Sequence, residues 1–306
     1  MRIAVIGAGG VGGYFGGRLA QAGHDVTFVA RGRHLAALRE RGLLIESGLG
    51  DATIHATFTD DPAGIAACDV VMLCVKLWDV EAVASKLAPL VAPGGAVIPF
   101  QNGVDAPNIL TRALGPDRVA GGIAYIAATI REVGVIAHTG TMARLVVGAF
   151  EGGNASAAAA FRDACVAAGV DAALSADIRR ALWEKFCFLA AMSGVTSLAR
   201  QPIGFVRDDA DLRAAFAAAV REAWSVGRVH GAGLPDEYPA RQLAFLDSLP
   251  AQMRSSMLND LVAGNRLEAP WLSGAVARMA ADSGVAAPVS ATIYAALKPY
   301  LNGAPH

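Results

Sequence analysis

The stretch Arg2-Ile3-Ala4-Val5-Ile6-Gly7-Ala8-Gly9-Gly10-Val11-Gly12 decides the fold. A short apolar run leads into a match to G-x-G-x-x-G. In that pattern Gly7 permits the tight turn, Gly9 lets the backbone approach a pyrophosphate, and Gly12 allows close helix–strand packing. Ala8, Gly10 and Val11 complete the loop, and the helix that follows presents its N-terminus to the phosphates. The motif alone has low specificity. Here it joins a strand to a helix at the start of a βαβ unit, which is the context it requires.

Beyond this loop, short apolar runs alternate with helical segments. Strands are expected at 2–6, 25–29, 70–75, 96–100, 119–130, 135–138 and 144–148, and helices at 11–22, 32–41, 79–90 and 108–114. Unbroken apolar runs such as Val70-Val71-Met72-Leu73-Cys74-Val75 suit strands buried on both faces of a parallel sheet. The repeat predicts an α/β fold, a Rossmann-like doubly wound sheet. An alanine-rich run from Ala155 opens a helix capped by Asn154. From Asp177 onward long helical segments are broken at Pro202, Gly231 to Pro235, Pro250, Pro270 and Pro288. This places a boundary near Ser175, between a dinucleotide-binding domain at 1–174 and an all-helical substrate and dimerisation domain at 175–306.

Composition agrees with two ordered domains. The chain has 306 residues, 54% of them hydrophobic and 17% charged, which excludes overall disorder. Its 26 basic and 27 acidic residues provide no global pull toward nucleic acid or an anionic membrane. The four cysteines form no CxxC pair, and no histidine cluster accompanies them, so neither a disulfide framework nor a metal site is expected. Mean hydropathy is +0.41, yet the longest uncharged stretch, 87–104, holds three prolines and three glycines and reads as loop, strand and turn. The apolar run at 3–6 is too short for a signal peptide. A cytoplasmic protein is the expectation.

The second expected strand ends at Arg31. NAD-specific folds place a carboxylate about 20 residues past the glycines to hold the ribose hydroxyls. Arg31 instead offers a guanidinium that can pair with a 2′-phosphate and stack on adenine. NADPH is the expected cofactor.

At this point the chain resembles the ketopantoate reductase (2-dehydropantoate 2-reductase) family. Residues 7–33, GAGGVGGYFGGRLAQAGHDVTFVARGR, are similar to that family's N-terminus. Cys74-Val75-Lys76, Gln101-Asn102-Gly103, Trp183-Glu184-Lys185, and Ser256-Met257-Leu258-Asn259-Asp260 with Glu268 downstream match further motifs. The resemblance covers nearly the whole chain. It implies reduction of a 2-oxo acid by NADPH, a step of pantothenate biosynthesis, with Lys185 as general acid. It also implies Lys76 near the nicotinamide, Asn102 on cofactor and substrate, Ser256 on the substrate, Glu268 on the cofactor, and Ala127 lining the nicotinamide pocket.

The chemistry fits independently of the resemblance. Hydride transfer to a ketone leaves negative charge on oxygen, where a cationic hydrogen-bond donor belongs. Desolvation at such a site brings a lysine's pKa toward neutrality. Three positions depart from the family. Its W-x-K helix carries asparagines four and eight residues past the lysine, on the lysine's own face, and here these are Leu189 and Ser193. A third asparagine is replaced at Ile203. A pocket that loses amides should prefer a more apolar or bulkier 2-oxo acid or ketone.

Two other readings compete: a 3-hydroxy acid dehydrogenase-like enzyme, and a non-catalytic NADPH-binding or redox-sensing protein. The first normally carries asparagine where Leu189 stands. The second is opposed by the joint presence of Lys185, Lys76, Asn102 and Glu268. None of the six histidines has a partner at ligand spacing, and His138 reads as structural. A helix at 208–230 presents Arg213, Arg221, Glu222 and Arg228, read as a solvated face or subunit contact. The apolar helical domain makes a homodimer an expectation.

Overall fold

A computed structural model describes residues 1–304. These divide into two compact units: Met1–Gln101 with Asp105–Ile178, and Asn102–Val104 with the chain from Arg179 onward.

In the first unit the chain runs β1 (Arg2–Ile6), α1 (Gly10–Gln21), β2 (Asp25–Val29), α2 (Gly32–Arg41), β3 (Leu43–Ser47), β4 (Ala52–Ile54), β5 (Thr57–Thr59) and β6 (Cys68–Leu73). It continues through the short α3 (Val80–Ala84), β7 (Val91–Pro99), α4 (Asp105–Leu114), β8 (Gly121–Glu132), β9 (Val135–Gly148), α5 (Ala155–Ala167) and β10 (Asp171–Leu174). Five parallel strands form one sheet in the order β5-β2-β1-β6-β7. Val70, Val71, Met72 and Leu73 are fully buried, as a strand covered on both faces requires. The chain winds one way from β1 through β2 and the other way through β6. The carboxyl ends of β1 and β6 therefore flank the point where strand order reverses, the place where such sheets bind ligands.

Strands β8 and β9 do not extend that parallel order. They form an antiparallel hairpin, and β9 pairs in parallel with β3 and β10, which makes a second sheet. The two short runs expected at 135–138 and 144–148 are one strand, β9, with an irregularity between them. Ala128 pairs with His138 and Ile126 with Ala143, so Ala127 alone stands opposite four residues of β9. His138 closes this excursion: its ring nitrogens lie 2.8 Å from Ser47 Oγ and 3.1 Å from the Met142 carbonyl oxygen. Its role is structural.

Helix α1 lies between the two sheets, and its glycines make room for it. A Cβ at Gly16 would sit 2.7 Å from Phe28 and from Val5 of the parallel sheet. On the other side, a Cβ at Gly13 would sit 2.8 Å from Ile136, and one at Gly17 2.6 Å from Ile45. Contacts this short leave no space for a methyl group.

The helix expected at 79–90 is broken into the single turn Leu77–Asp79, α3, and the turn Ala88–Leu90. Pro89 lacks the N–H that a continuing helix would need. Helix α5 is capped as expected, with Asn154 Oδ1 accepting from the Ala157 N–H at 2.9 Å.

The second unit is helical: α6 (Ile178–Ala199), α7 (Ile203–Asp208), α8 (Ala210–Val229), α9 (Tyr238–Ser248), α10 (Ser256–Val262), α11 (Ser273–Ser283) and α12 (Pro288–Leu297). Its core includes Trp183, Phe186, Val195, Phe216 and Tyr238. Burying each such side chain contributes about 1.5–3 kcal/mol. No helix among the described residues is long and apolar enough to cross a membrane.

One expectation is corrected here. Glu222 is not on a solvated face but buried. Its carboxylate accepts from the Val289 N–H at 2.8 Å, the Ser290 N–H at 2.7 Å and the Ser290 hydroxyl at 2.6 Å. It thereby satisfies the N-terminus of α12, where negative charge also meets the positive end of the helix dipole. Glu222→Gln keeps the shape but removes the charge from these bonds, so it should lower the unfolding free energy by about 1.5–3 kcal/mol. Urea unfolding at pH 7 measures this. An unchanged midpoint would mean that the helix end is satisfied by other groups.

Candidate functional site

In the first unit the glycine loop crosses the end of the parallel sheet. Gly7 has φ +105, and a Cβ there would lie 2.9 Å from the Cys74 carbonyl and the Val75 nitrogen. The loop therefore rests directly on the chain leaving β6. Gly10 is packed against the Ala128 carbonyl, and Gly12 against Gly7 and Cys74, both too closely for any side chain. Gly9 differs from all of these. Its φ is −81, and a Cβ there would meet nothing within 4 Å. Neither the backbone nor the packing of the chain requires glycine at this position. The open space lies at the N-terminus of α1, which has no capping side chain and no acidic residue in its first turn. A bare helix end beside open space fits the pyrophosphate of a dinucleotide. Ala8 is buried and Val11 half-buried in the same loop.

Arg31 is exposed at the N-cap of α2, and no acidic residue lies in that helix's first turn. Lys76 is exposed just past β6, with its ammonium 5.6 Å from the centre of the Trp78 ring. Ala127 is exposed at the irregularity of β8, one residue before the carbonyl against which Gly10 packs. The backbone thus brings Ala127 to the glycine loop. Gln101 ties the strand ends together, its amide nitrogen donating to the Leu73 and Val75 carbonyls at 2.9 and 3.0 Å.

In the helical unit, α6 carries Lys185. The Lys185 ammonium donates to Asn102 Oδ1 at 3.0 Å. Burial lowers its pKa from the ordinary 10.5 to about 8, while the Glu268 carboxylate acts in the opposite sense. Glu268 is itself buried, at the start of the turn Ala269–Trp271. Asn102, Lys185 and Glu268 are thus brought together from three distant parts of the chain. At 3.6 residues per turn, Leu189 and Ser193 follow Lys185 on one face of α6. Leu189 is half-buried against the helical core. Ser193 is fully buried, and its hydroxyl has no hydrogen-bond partner among the described residues.

The surroundings of two further positions differ. Ile203 is fully buried in the core, its N–H donating to the Met253 carbonyl at 2.9 Å, so it offers no pocket surface. Ser256 is exposed at the first position of α10. Its neighbour Ser255 is the buried N-cap, with its hydroxyl accepting from the Leu258 N–H at 3.1 Å and 2.9 Å from Thr196 Oγ1 on α6. A serine ahead of an apolar run is the N-cap signal that marks Ser255, and the sequence reading passed over it.

The chain is similar to known proteins along nearly its whole length. The family model "Ketopantoate reductase PanE/ApbA" matches residues 3–152, and its C-terminal counterpart matches residues 177–301. The chain is 31% identical over 301 residues to the uncharacterized oxidoreductase YkpB of Bacillus subtilis (strain 168), covering 98% of this chain and 99% of that protein. It is 31% identical over 293 residues to a 2-dehydropantoate 2-reductase of Archaeoglobus fulgidus, covering 95% of each. Its fold is similar to the crystal structure of a PanE/ApbA family ketopantoate reductase from Ralstonia eutropha JMP134, with a TM-score of 0.89, 29% identity and 98% of each chain covered.

The lowered pKa of Lys185 has a consequence for stability. Folding weakens the ammonium's hold on its proton, so below about pH 8 the native state bears the cost of a buried charge. Between about 8 and 10.5 the unfolded chain binds the extra proton, and stability rises with pH. Lys185→Met should therefore be more stable than the parent at pH 7, by roughly 1–3 kcal/mol, with the difference shrinking toward pH 10. Urea unfolding at the two pH values tests this, and a variant less stable at pH 7 contradicts it.

Proposed function

The chain belongs to the ketopantoate reductase family, and we propose that it is an NADPH-dependent reductase. On this reading it converts a 2-oxo acid to the 2-hydroxy acid, with Lys185 as general acid. The first unit holds the dinucleotide through Gly7, Ala8, Gly9, Gly10, Val11 and Gly12, with Arg31 on the 2′-phosphate. The helical unit supplies the groups that act on the substrate. The observation that carries the reading is the Lys185 ammonium, held at 3.0 Å by Asn102 Oδ1 with a pKa brought to about 8.

A bound nicotinamide dinucleotide supplies the hydride. As negative charge gathers on the substrate's carbonyl oxygen, the Lys185 ammonium donates a hydrogen bond to it and then the proton that completes the alcohol. Asn102 accepts one of the three N–H bonds of that ammonium and so fixes the direction of the other two. Glu268 opposes the effect of burial, which keeps the acid protonated near neutral pH. In the first unit, Lys76, exposed just past β6, offers a cation to a bound dinucleotide.

Support for NADPH over NADH comes from Arg31, exposed where NAD-specific folds keep a carboxylate. Support for a more apolar 2-oxo acid than ketopantoate comes from Leu189, half-buried one turn past Lys185. A leucine cannot form the hydrogen bonds of the amide it replaces, and Ser193 retains only a hydroxyl.

Cofactor oxidation with a panel of 2-oxo acids tests the reading. Lys185→Ala should lower kcat by ~10²–10⁴ without loss of fold. Arg31→Ala should raise the KM for NADPH by roughly 10–100-fold and leave that for NADH nearly unchanged. Leu189→Asn should shift kcat/KM toward ketopantoate at the expense of bulkier substrates. A parent kcat/KM for ketopantoate far above every bulkier acid would remove the apolar preference. Dinucleotide binding without turnover of any 2-oxo acid or ketone would overturn the enzymatic reading.

A further inference from the structure

We propose that the C-terminal segment, residues 298–303, is a strap that positions Glu268, and that Tyr300, gripped by the Arg200 guanidinium, seats it. The proposal rests on the reading of Lys185 as general acid and of Glu268 as the carboxylate that acts on it.

The strap runs beside the stretch that leads into Glu268. The Leu267 N–H donates to the Leu301 carbonyl at 3.0 Å, and Arg266 and Asn302 form an antiparallel bridge. Gly303, at φ +109, comes so close that a Cβ would lie 2.7 Å from the Gly264 carbonyl oxygen. Glu268 follows immediately, and its carbonyl accepts from the Trp271 N–H at 3.0 Å. The Glu268 backbone is thus gripped on both sides, by the strap before it and by the turn after it. A paired backbone bridge and a close main-chain approach beside it position a main chain more firmly than one side-chain contact would.

The other end of the strap is tied to the helix that carries Lys185. Arg200 directly follows α6 and has φ 54, the only positive φ at a non-glycine position among the described residues. Helices commonly end on a left-handed residue, and glycine takes that conformation without strain. The end is otherwise ordinary, with the Arg200 N–H donating to Ser197 and the Gln201 N–H to Thr196. An arginine here strains the backbone, and what it adds is a guanidinium 5.2 Å from the centre of the Tyr300 ring. Strain retained at one residue points to a task for its side chain. That task is to close the strap onto α6, so that one helix carries the acid and also anchors the segment that sets its carboxylate neighbour. Around Lys185 the groups named by the geometry are the Asn102 side-chain oxygen and the Glu268 carboxylate.

Four variants test the proposal: Arg200→Gly, Tyr300→Leu, Tyr300→Phe and Glu268→Gln. Each is measured for urea midpoint and for the pH profile of kcat in the reductive direction. Only protonated Lys185 can act, so kcat falls as pH rises through its pKa. Because Glu268 raises that pKa, loosening Glu268 moves the fall to lower pH. Arg200→Gly should match or exceed the parent in stability, because the strain is relieved, yet lose 3–10-fold in kcat with the alkaline fall shifted to lower pH. Tyr300→Leu should shift it likewise, and Tyr300→Phe, which keeps the ring, should restore the parent profile. If Glu268→Gln shifts the fall but Arg200→Gly and Tyr300→Leu do not, the strap is overturned and the reading of the site stands. If Glu268→Gln causes no shift, the coupling of Glu268 to Lys185 fails, and the strap's purpose fails with it.

Discussion

The close approach of α1 to both sheets is the constraint on which the rest of the first unit depends. A helix flanked on two sides by sheet ordinarily keeps the distance its side chains impose, and α1 has none at Gly12, Gly13, Gly16 and Gly17. Its axis is therefore fixed by backbone contact, and with it the place of its N-terminus over the ends of β1 and β6. The loop before it has no freedom either, because Gly7 rests on the Cys74–Val75 peptide and Gly10 on the Ala128 carbonyl. The packing that builds the fold thus also aims a bare helix end at one spot. Gly9, the one loop glycine with open space in front of it and an ordinary φ, sits at that spot. Its small size makes sense toward a ligand and not toward the protein.

The helical unit relies on a different economy, the balance between burial and charge at Lys185. Burial alone would drive the ammonium toward neutrality, and a neutral amine could not serve as the acid proposed for it. Glu268 alone, in water, would leave the pKa near its ordinary value and the proton tightly held. The two together bring it to about 8, nearer neutrality than an ordinary lysine. This poise costs stability, as functional groups held in low-dielectric surroundings generally do. The same unit spends no such strain on Glu222, whose buried charge is met by three donors and serves the fold alone.

How far the sequence disclosed this depended on the range of the interaction. The parallel core was legible because strands covered on both faces are continuous apolar runs, and β6 is one. The short strands β3, β4 and β5 were not, because they are three to five residues long and partly exposed, without a strong period. The breaks in the helical unit were legible at Pro202, Pro250, Pro270 and Pro288, because proline acts locally. Glu222 was misread as a surface charge because its donors lie 67 and 68 residues away, beyond any local pattern. Lys185, Asn102 and Glu268 were found through the motifs of the resemblance. Their joining by one hydrogen bond and one field is a tertiary fact.

Positions 189, 193 and 203 show what a substitution means once its surroundings are known. All three carry a smaller or apolar residue where the resemblance implies asparagine. At 203 the isoleucine is wholly inside the core and its backbone holds Met253, so its identity answers to packing. At 193 the serine is buried with an unused hydroxyl, an arrangement that costs free energy and that alanine would avoid. Packing alone does not account for it. At 189 the leucine is only half-buried, and part of its surface is left over after the core has taken what it needs. Specificity can be argued only from surface that the fold does not consume. That is why the case for an apolar substrate rests on Leu189 and draws nothing from Ser193 or Ile203, both fully buried.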